Sequence, residues 1–141
     1  MTDKVHSTRI DGKTVIFLPW LKDQIKEVLR EGNGIIAKST RRSGKTTAIL
    51  ELMQEMGTAQ TALIVATREL RDGTARLWMD IFPRERVRFG LGGVCVEPLI
   101  LTQYEAKAGL LGMKCKVFID ELQLIEEMPD EYFAATASYR E

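Results

Sequence analysis

The chain has 141 residues, 45% of them hydrophobic and 28% charged, with 20 Lys+Arg against 20 Asp+Glu, the composition of one globular domain holding a single sheet and its covering helices. This leaves no room for a second full domain and argues against a generic polyanion-coating protein, while apolar runs such as Ala62 to Ala66 are far too short for a membrane span. The charged N-terminus lacks a signal peptide's apolar core, so the expectation is a cytoplasmic chain with no membrane partner. The zero net charge hides an asymmetry: residues 1–90 carry 16 Lys+Arg and 11 Asp+Glu, net +5, and residues 91–141 carry 4 and 9, net −5. Cys95 and Cys115 have no metal-ligand spacing and read as buried free thiols. His6 is assigned no role.

In chain order, Thr14 to Leu18 after the Asp11-Gly12 turn predicts a short edge strand. Pro19 then opens a helix over Trp20 to Arg30, with Trp20, Leu21, Ile25, Val28 and Leu29 at helical spacing and Gly32-Asn33-Gly34 as its end. Gln24 on that helix reads, from spacing alone, as solvated. Gly34 to Ala37 is an apolar strand, followed by a basic turn and a helix that ends near Gly57. The continuous run Thr61 to Thr67 predicts a buried parallel strand, and Arg68 to Met79 a helix packing through Leu70, Leu77 and Trp78. Beyond the break at Pro83, Arg84, Arg86 and Arg88 alternate as on one strand face, either solvated or facing nucleic acid or a partner. Arg86 to Phe89 and Val94 to Val96 flank Gly90-Leu91-Gly92-Gly93 and predict a hairpin. Ile100 to Leu111 reads as a short helix closed by Gly109 or Gly112; Lys116 to Ile119 is a strand ending in Asp120-Glu121; and from Pro129 the acidic tail reads as helix, with Tyr132, Phe133 and Ala137 able to pack.

Two stretches carry chemistry. Ser39-Thr40-Arg41-Arg42-Ser43-Gly44-Lys45-Thr46-Thr47 approximates the phosphate-binding pattern G-x-x-x-x-G-K-[ST], with Ser39 in place of the first Gly, and sits at the strand-to-helix junction the pattern requires. Backbone amides from Arg42 to Thr47 would cradle phosphates, Lys45 would reach the outer ones, and the Thr46 hydroxyl would ligate Mg²⁺. Ligands of open α/β sheets lie at the carboxyl ends of the strands, so Asp120 and Glu121 should emerge beside the loop. There Asp120 would hold Mg²⁺ with Thr46, and Glu121 would polarise a water for attack on phosphorus. Two cations in a phosphate loop repel, so one of Arg41 and Arg42 could touch the γ-phosphate in cis; the alternative is that both face solvent.

These stretches resemble the P-loop ATPases with an additional catalytic glutamate, the group of helicases and large terminase subunits. The loop from Ser39 to Thr47 is similar to the terminase form, which often lacks the first Gly and carries an Arg where Arg41 stands. Ala66-Thr67-Arg68-Glu69-Leu70 is similar to a motif of DEAD-type helicases, and Asp120-Glu121-Leu122-Gln123 to the Asp-Glu-x-Gln box of others. The resemblance spans roughly residues 16–125. It implies a single RecA-like P-loop domain with a mainly parallel sheet, a catalytic Arg41 in cis, and contacts to adenine from Trp20 and Gln24. It also implies ATP with Mg²⁺ as ligands and double-stranded DNA as a partner. A homo-oligomer or larger assembly would then supply an arginine in trans, in a chain that a virus could encode. Ala135-Thr136-Ala137-Ser138 superficially resembles a helicase coupling motif but falls in the tail read as helix.

The expected function is therefore Mg²⁺-dependent ATP hydrolysis powering DNA translocation or packaging. Its rivals are a helicase-like fragment, a non-catalytic adaptor switched by ATP binding, and a small nucleotide kinase. The last would want further lid arginines, and Arg140 is the only Arg after Arg88.

Overall fold

A computed structural model describes residues 6–10, 12–19 and 21–139. The sequence readings at Asp11, Trp20 and Arg140 lie outside them. The described strands are β1 (His6–Ile10), β2 (Lys13–Phe17), β3 (Ile35–Ser39), β4 (Thr61–Val65), β5 (Arg88–Phe89), β6 (Cys95–Glu97), β7 (Leu99–Thr102), β8 (Lys116–Ile119) and β9 (Ala134–Ser138). They form one sheet in the order β1-β2-β3-β9-β8-β4-β7-β6-β5. From β2 to β7 every pairing is parallel, and the two ends are antiparallel additions. The architecture is α/β, as the alternation of apolar strand-length runs with helical spacing predicts. Among the described residues no helix is long and apolar enough to cross a membrane.

The helices are α1 (Lys22–Glu31), α2 (Lys45–Met56), α3 (Arg68–Ile81) and the single turn α4 (Ala106–Gly109). Ile25 and Leu29 of α1, Leu50 and Met53 of α2, and Trp78 of α3 pack with Leu63 of β4 and Phe118 of β8 in the main core on one side of the sheet. A smaller cluster of Ile64, Ala106, Ile119 and Ala135 is covered by the short α4 and by Leu122, Ile125 and Tyr132. All five residues of β4 are buried, which is why its sequence shows no alternation. Lys22 and Lys26 of α1 reach Glu51 of α2 at 2.8 and 3.3 Å, and Lys26 also pairs with Glu55, so α1 is fastened against the helix that starts the phosphate loop.

Five expectations are corrected. The strand over residues 13–17 is not an edge, because β1 folds back on it through the Gly12 turn. Leu99–Thr102 is strand rather than helix: its four buried residues pair with β4, and only Ala106–Gly109 forms a helical turn. In α3 the buried face is Arg71, Thr74, Ala75 and Trp78, a helical i, i+3, i+4, i+7 stripe that leaves Leu70 39% exposed. Of the three alternating arginines only Arg88 lies in a strand. The tail read as helix instead supplies β9, a central strand between β3 and β8. Alanine prefers helices in isolation, but a slot with an unpaired strand edge on each side offers Ala134, Ala135 and Ala137 two hydrogen-bonded ladders and room for only small side chains. Cys95 is buried as expected, whereas Cys115 is only half-buried.

Candidate nucleotide-binding site

The parallel strands bring their carboxyl ends to one edge, and β3 there runs into the loop from Thr40 to Gly44. Gly44 has φ +87°, a left-handed conformation suited to glycine, and a Cβ there would sit 3.0 Å from the Lys22 Cβ of α1. The loop is thus pressed against the first turn of α1. Arg42 also takes positive φ, +58°, a strained choice for a residue with a long side chain. α2 starts directly at Lys45, so its first free amides face the loop.

Lys45 is 97% buried, an unusual state for a lysine. Its ammonium donates to the Thr40 carbonyl at 2.6 Å and to Ser43 Oγ at 3.3 Å, and lies 3.9 Å from Glu121 Oε1. Burial lowers its pKa below the ordinary 10.5, against the opposing pull of Glu121 and then Asp120. Thr46 Oγ donates to Asp120 Oδ2 at 2.7 Å, joining positions 74 residues apart. The other carboxylate oxygen of Asp120 accepts from Thr136 Oγ at 2.8 Å.

Glu121 follows with φ +53°. Its carboxylate accepts from Ser138 Oγ at 3.0 and 2.7 Å and from the Gln123 amide, while its backbone N–H donates to Thr136 Oγ at 3.2 Å. An open cleft of about 190 Å³ is lined by Arg42, Ser43, Gly44, Lys45, Thr46, Thr47 and Glu121.

The expected site residues therefore fall into two groups. Lys45, Thr46, Asp120 and Glu121 converge, and Arg42, Ser43, Gly44 and Thr47 wall the cleft. Ser39 closes β3, buried, with its hydroxyl 3.4 Å from the Pro19 carbonyl, and Thr40 contributes its carbonyl to Lys45. Arg41 is exposed and is not among the residues lining the cleft; Arg42 is. Gln24 also lies outside that lining, but its carboxamide oxygen is buried without a hydrogen-bond partner.

The sequence by itself assigns no role to Thr136 and Ser138, which β9 carries to Asp120 and Glu121. Their spacing of two is the available signal, since alternate residues of a strand share a face. Comparison with family models, curated proteins and solved structures finds no match to this chain.

Chemically, the cleft offers a cation, a hydroxyl–carboxylate pair and a second carboxylate around a loop of free amides. Among the described residues no group of three or more His, Cys, Asp or Glu side chains could chelate a metal. A hard cation at Thr46 and Asp120 would thus draw its other oxygens from a phosphate and water, the usual arrangement for Mg²⁺.

Asp120 exposes the cost of holding a carboxylate ready for such a charge. Burial raises its pKa above 3.8, and the Thr46 and Thr136 hydrogen bonds only partly offset this. A raised native pKa means that the folded state binds the proton more tightly than the unfolded chain. The stabilising effect of protonation is complete below 3.8 and disappears as pH rises through the native pKa. Asp120→Asn is expected to be more stable than wild type at neutral pH by about 1 kcal/mol or more, with the gap closing on acidification. Urea titrations across pH check this; a less stable Asn variant at neutral pH would contradict it.

Proposed function

We propose that this chain is a RecA-like P-loop ATPase of the additional-glutamate group, binding ATP with Mg²⁺ and hydrolysing its terminal anhydride in service of a DNA-translocating or DNA-packaging assembly. The observation that carries the reading is the 2.7 Å bond from Thr46 to Asp120, the hydroxyl and the carboxylate that a phosphate-bound Mg²⁺ requires, at the mouth of a Gly-Lys-Thr loop. The sheet order supports it: β9 stands between the strand that leads into the loop and the strand that ends in Asp120.

In this reading Lys45 gives up its internal contacts to neutralise the outer phosphates, and the loop amides orient them. Mg²⁺ supplies charge neutralisation when bound, held by Thr46 and Asp120. Glu121 accepts a proton from a water as the water oxygen bonds to the γ-phosphorus and the bond from that phosphorus to the bridging oxygen breaks, the electron pair leaving with ADP. Gln24, with its unpartnered oxygen, is suited to accept from the adenine amino group.

Ser138 is assigned a positioning role. Its hydroxyl holds both oxygens of Glu121, and the site's second strand-end hydroxyl, Thr136, holds Asp120. Ser138→Ala is expected to lower kcat by about tenfold, the value of one charge-assisted hydrogen bond, while Ser138→Thr retains most of the rate. Nucleotide affinity should stay unchanged in both. Equal kcat in Ser138→Ala and wild type would remove the role.

One observation favours the adaptor as a second reading: Glu121 is fastened by Ser138 and Gln123 close to Lys45, an arrangement that could hold nucleotide without turning it over. The discriminating experiment is phosphate release against protein concentration, with and without double-stranded DNA. The motor reading expects DNA stimulation and a rate per chain that rises as chains associate. Tight ATP binding with no release under any condition would select the adaptor, and no binding at all would end both.

A further inference from the structure

We propose that the ribbon at the β5 edge of the sheet docks into the groove beside α4 of a second copy of this chain. The ribbon's tip is Gly90-Leu91-Gly92-Gly93, and Leu91 is 97% exposed with Phe89 beside it at 53%. The tip is nonetheless anchored, because the Gly92 carbonyl accepts from the buried Arg71 guanidinium at 3.4 Å. An apolar knob on a fixed ribbon is a feature that monomers rarely display without a partner.

The matching feature is a groove of about 510 Å³ with Ala106, Leu110, Leu111, Met128 and Pro129 among its lining. Leu111 is 84% exposed at its lip. The groove starts from Gln103 at the carboxyl end of β7, and the ribbon tip lies beyond that same edge, since β6 runs antiparallel to β7. Two copies related by a two-fold axis can therefore each offer a ribbon and a groove, and reciprocal seating satisfies both at once.

Charge selects a second copy as the occupant. The groove rim carries Glu127 and Asp130, with Glu126 and Glu131 adjoining them and Lys107 as the opposing cation. Along the ribbon Arg88 is paired with Glu97 at 2.8 Å, and Glu85 accepts from Gln54. Arg84 and Arg86 are exposed and form no ion pair among the described residues. These two free cations match the acidic rim. The chain as a whole is neutral, so no net repulsion opposes its association with itself. The inference stands apart from the nucleotide chemistry, and its test needs no ATP.

Sedimentation of the full chain over a wide concentration range, at low and high salt, should show wild type associating, more weakly at high salt. Leu91→Asp should raise the dissociation constant by at least about tenfold. A charge-reversal pair makes the test specific. Arg84→Glu with Arg86→Glu, and separately Glu127→Arg with Asp130→Arg, should each associate poorly alone, because ribbon and groove then repel. Mixed together they should form a heterodimer, since each ribbon meets a groove of opposite sign. All substituted side chains are exposed, so circular dichroism and melting temperature should remain those of wild type. Wild type that stays monomeric at every concentration, Leu91→Asp that associates as wild type does, or a charge-reversed mixture no heavier than its components would each overturn the proposal.

Discussion

Glu121→Gln is expected to lower the rate of phosphate release by about 10²- to 10⁴-fold, the range for loss of a general base, while ATP still binds. Lys45→Ala should behave differently and lose nucleotide affinity along with turnover. The contrast follows from where the two charges sit. Lys45 is buried under the loop, its ammonium within reach of groups that a phosphate would replace, so removing it takes away a contact made in the ground state as well as the transition state. Glu121 lies across the cleft, held by Ser138 and Gln123, and its task concerns a proton that moves only during reaction. Phosphate release and fluorescent-nucleotide binding on the three proteins would decide it. Identical release rates in wild type and both variants would sink the hydrolytic reading.

The largest effect on stability is expected from Phe118→Ala, at about 3–5 kcal/mol. Phe118 is fully buried at the centre of β8, between β9 and β4, and its ring meets Phe133 edge-on at a centroid distance of 5.4 Å. Truncation leaves a void beneath the strand whose next residues are Ile119 and Asp120, so Mg²⁺-dependent nucleotide affinity should fall as well. Phe118→Leu keeps most of the volume and should cost less than about 1.5 kcal/mol. Denaturant unfolding of the two variants checks the size and the ordering; similar stabilities for Ala and Leu would show that the site collapses around the smaller side chain.

Much of this arrangement is legible in the amino-acid sequence. The phosphate loop and the strand ending in Asp120-Glu121 each combine a local chemical pattern with an apolar run, and both patterns fall at the carboxyl ends of their strands. The buried run Thr61 to Val65 is equally clear, because a strand covered on both faces has no choice but to be apolar throughout. What the sequence hides is set by distant neighbours. Residues 134–138 are alanine-rich and look helical, and only the unpaired edges of β3 and β8 make them a strand. The roles of Thr136 and Ser138 are hidden for the same reason. Leu99–Thr102 merges with the following helical turn because an apolar run of four carries no period of its own. Arg41 and Arg42 are indistinguishable in sequence; the positive φ at Arg42 accompanies its place in the cleft wall, while Arg41 faces outward.

The central position of β9 has a consequence for how the molecule comes together. Without it the sheet falls into two pieces, β1-β2-β3 and β8-β4-β7-β6-β5, with Lys45 following the first and Asp120 ending the second. Ile35 pairs with Ala134, almost a hundred residues later, so the two pieces cannot be joined while residues 134–138 are still being synthesised. Until then β3 and β8 both present open edges of the kind that invites misjoining with other nascent chains. The same delay keeps the loop lysine and the strand-end carboxylates apart during synthesis. Nucleotide affinity should accordingly emerge in the last folding step rather than build up gradually, which would make it a sensitive reporter of the completed sheet.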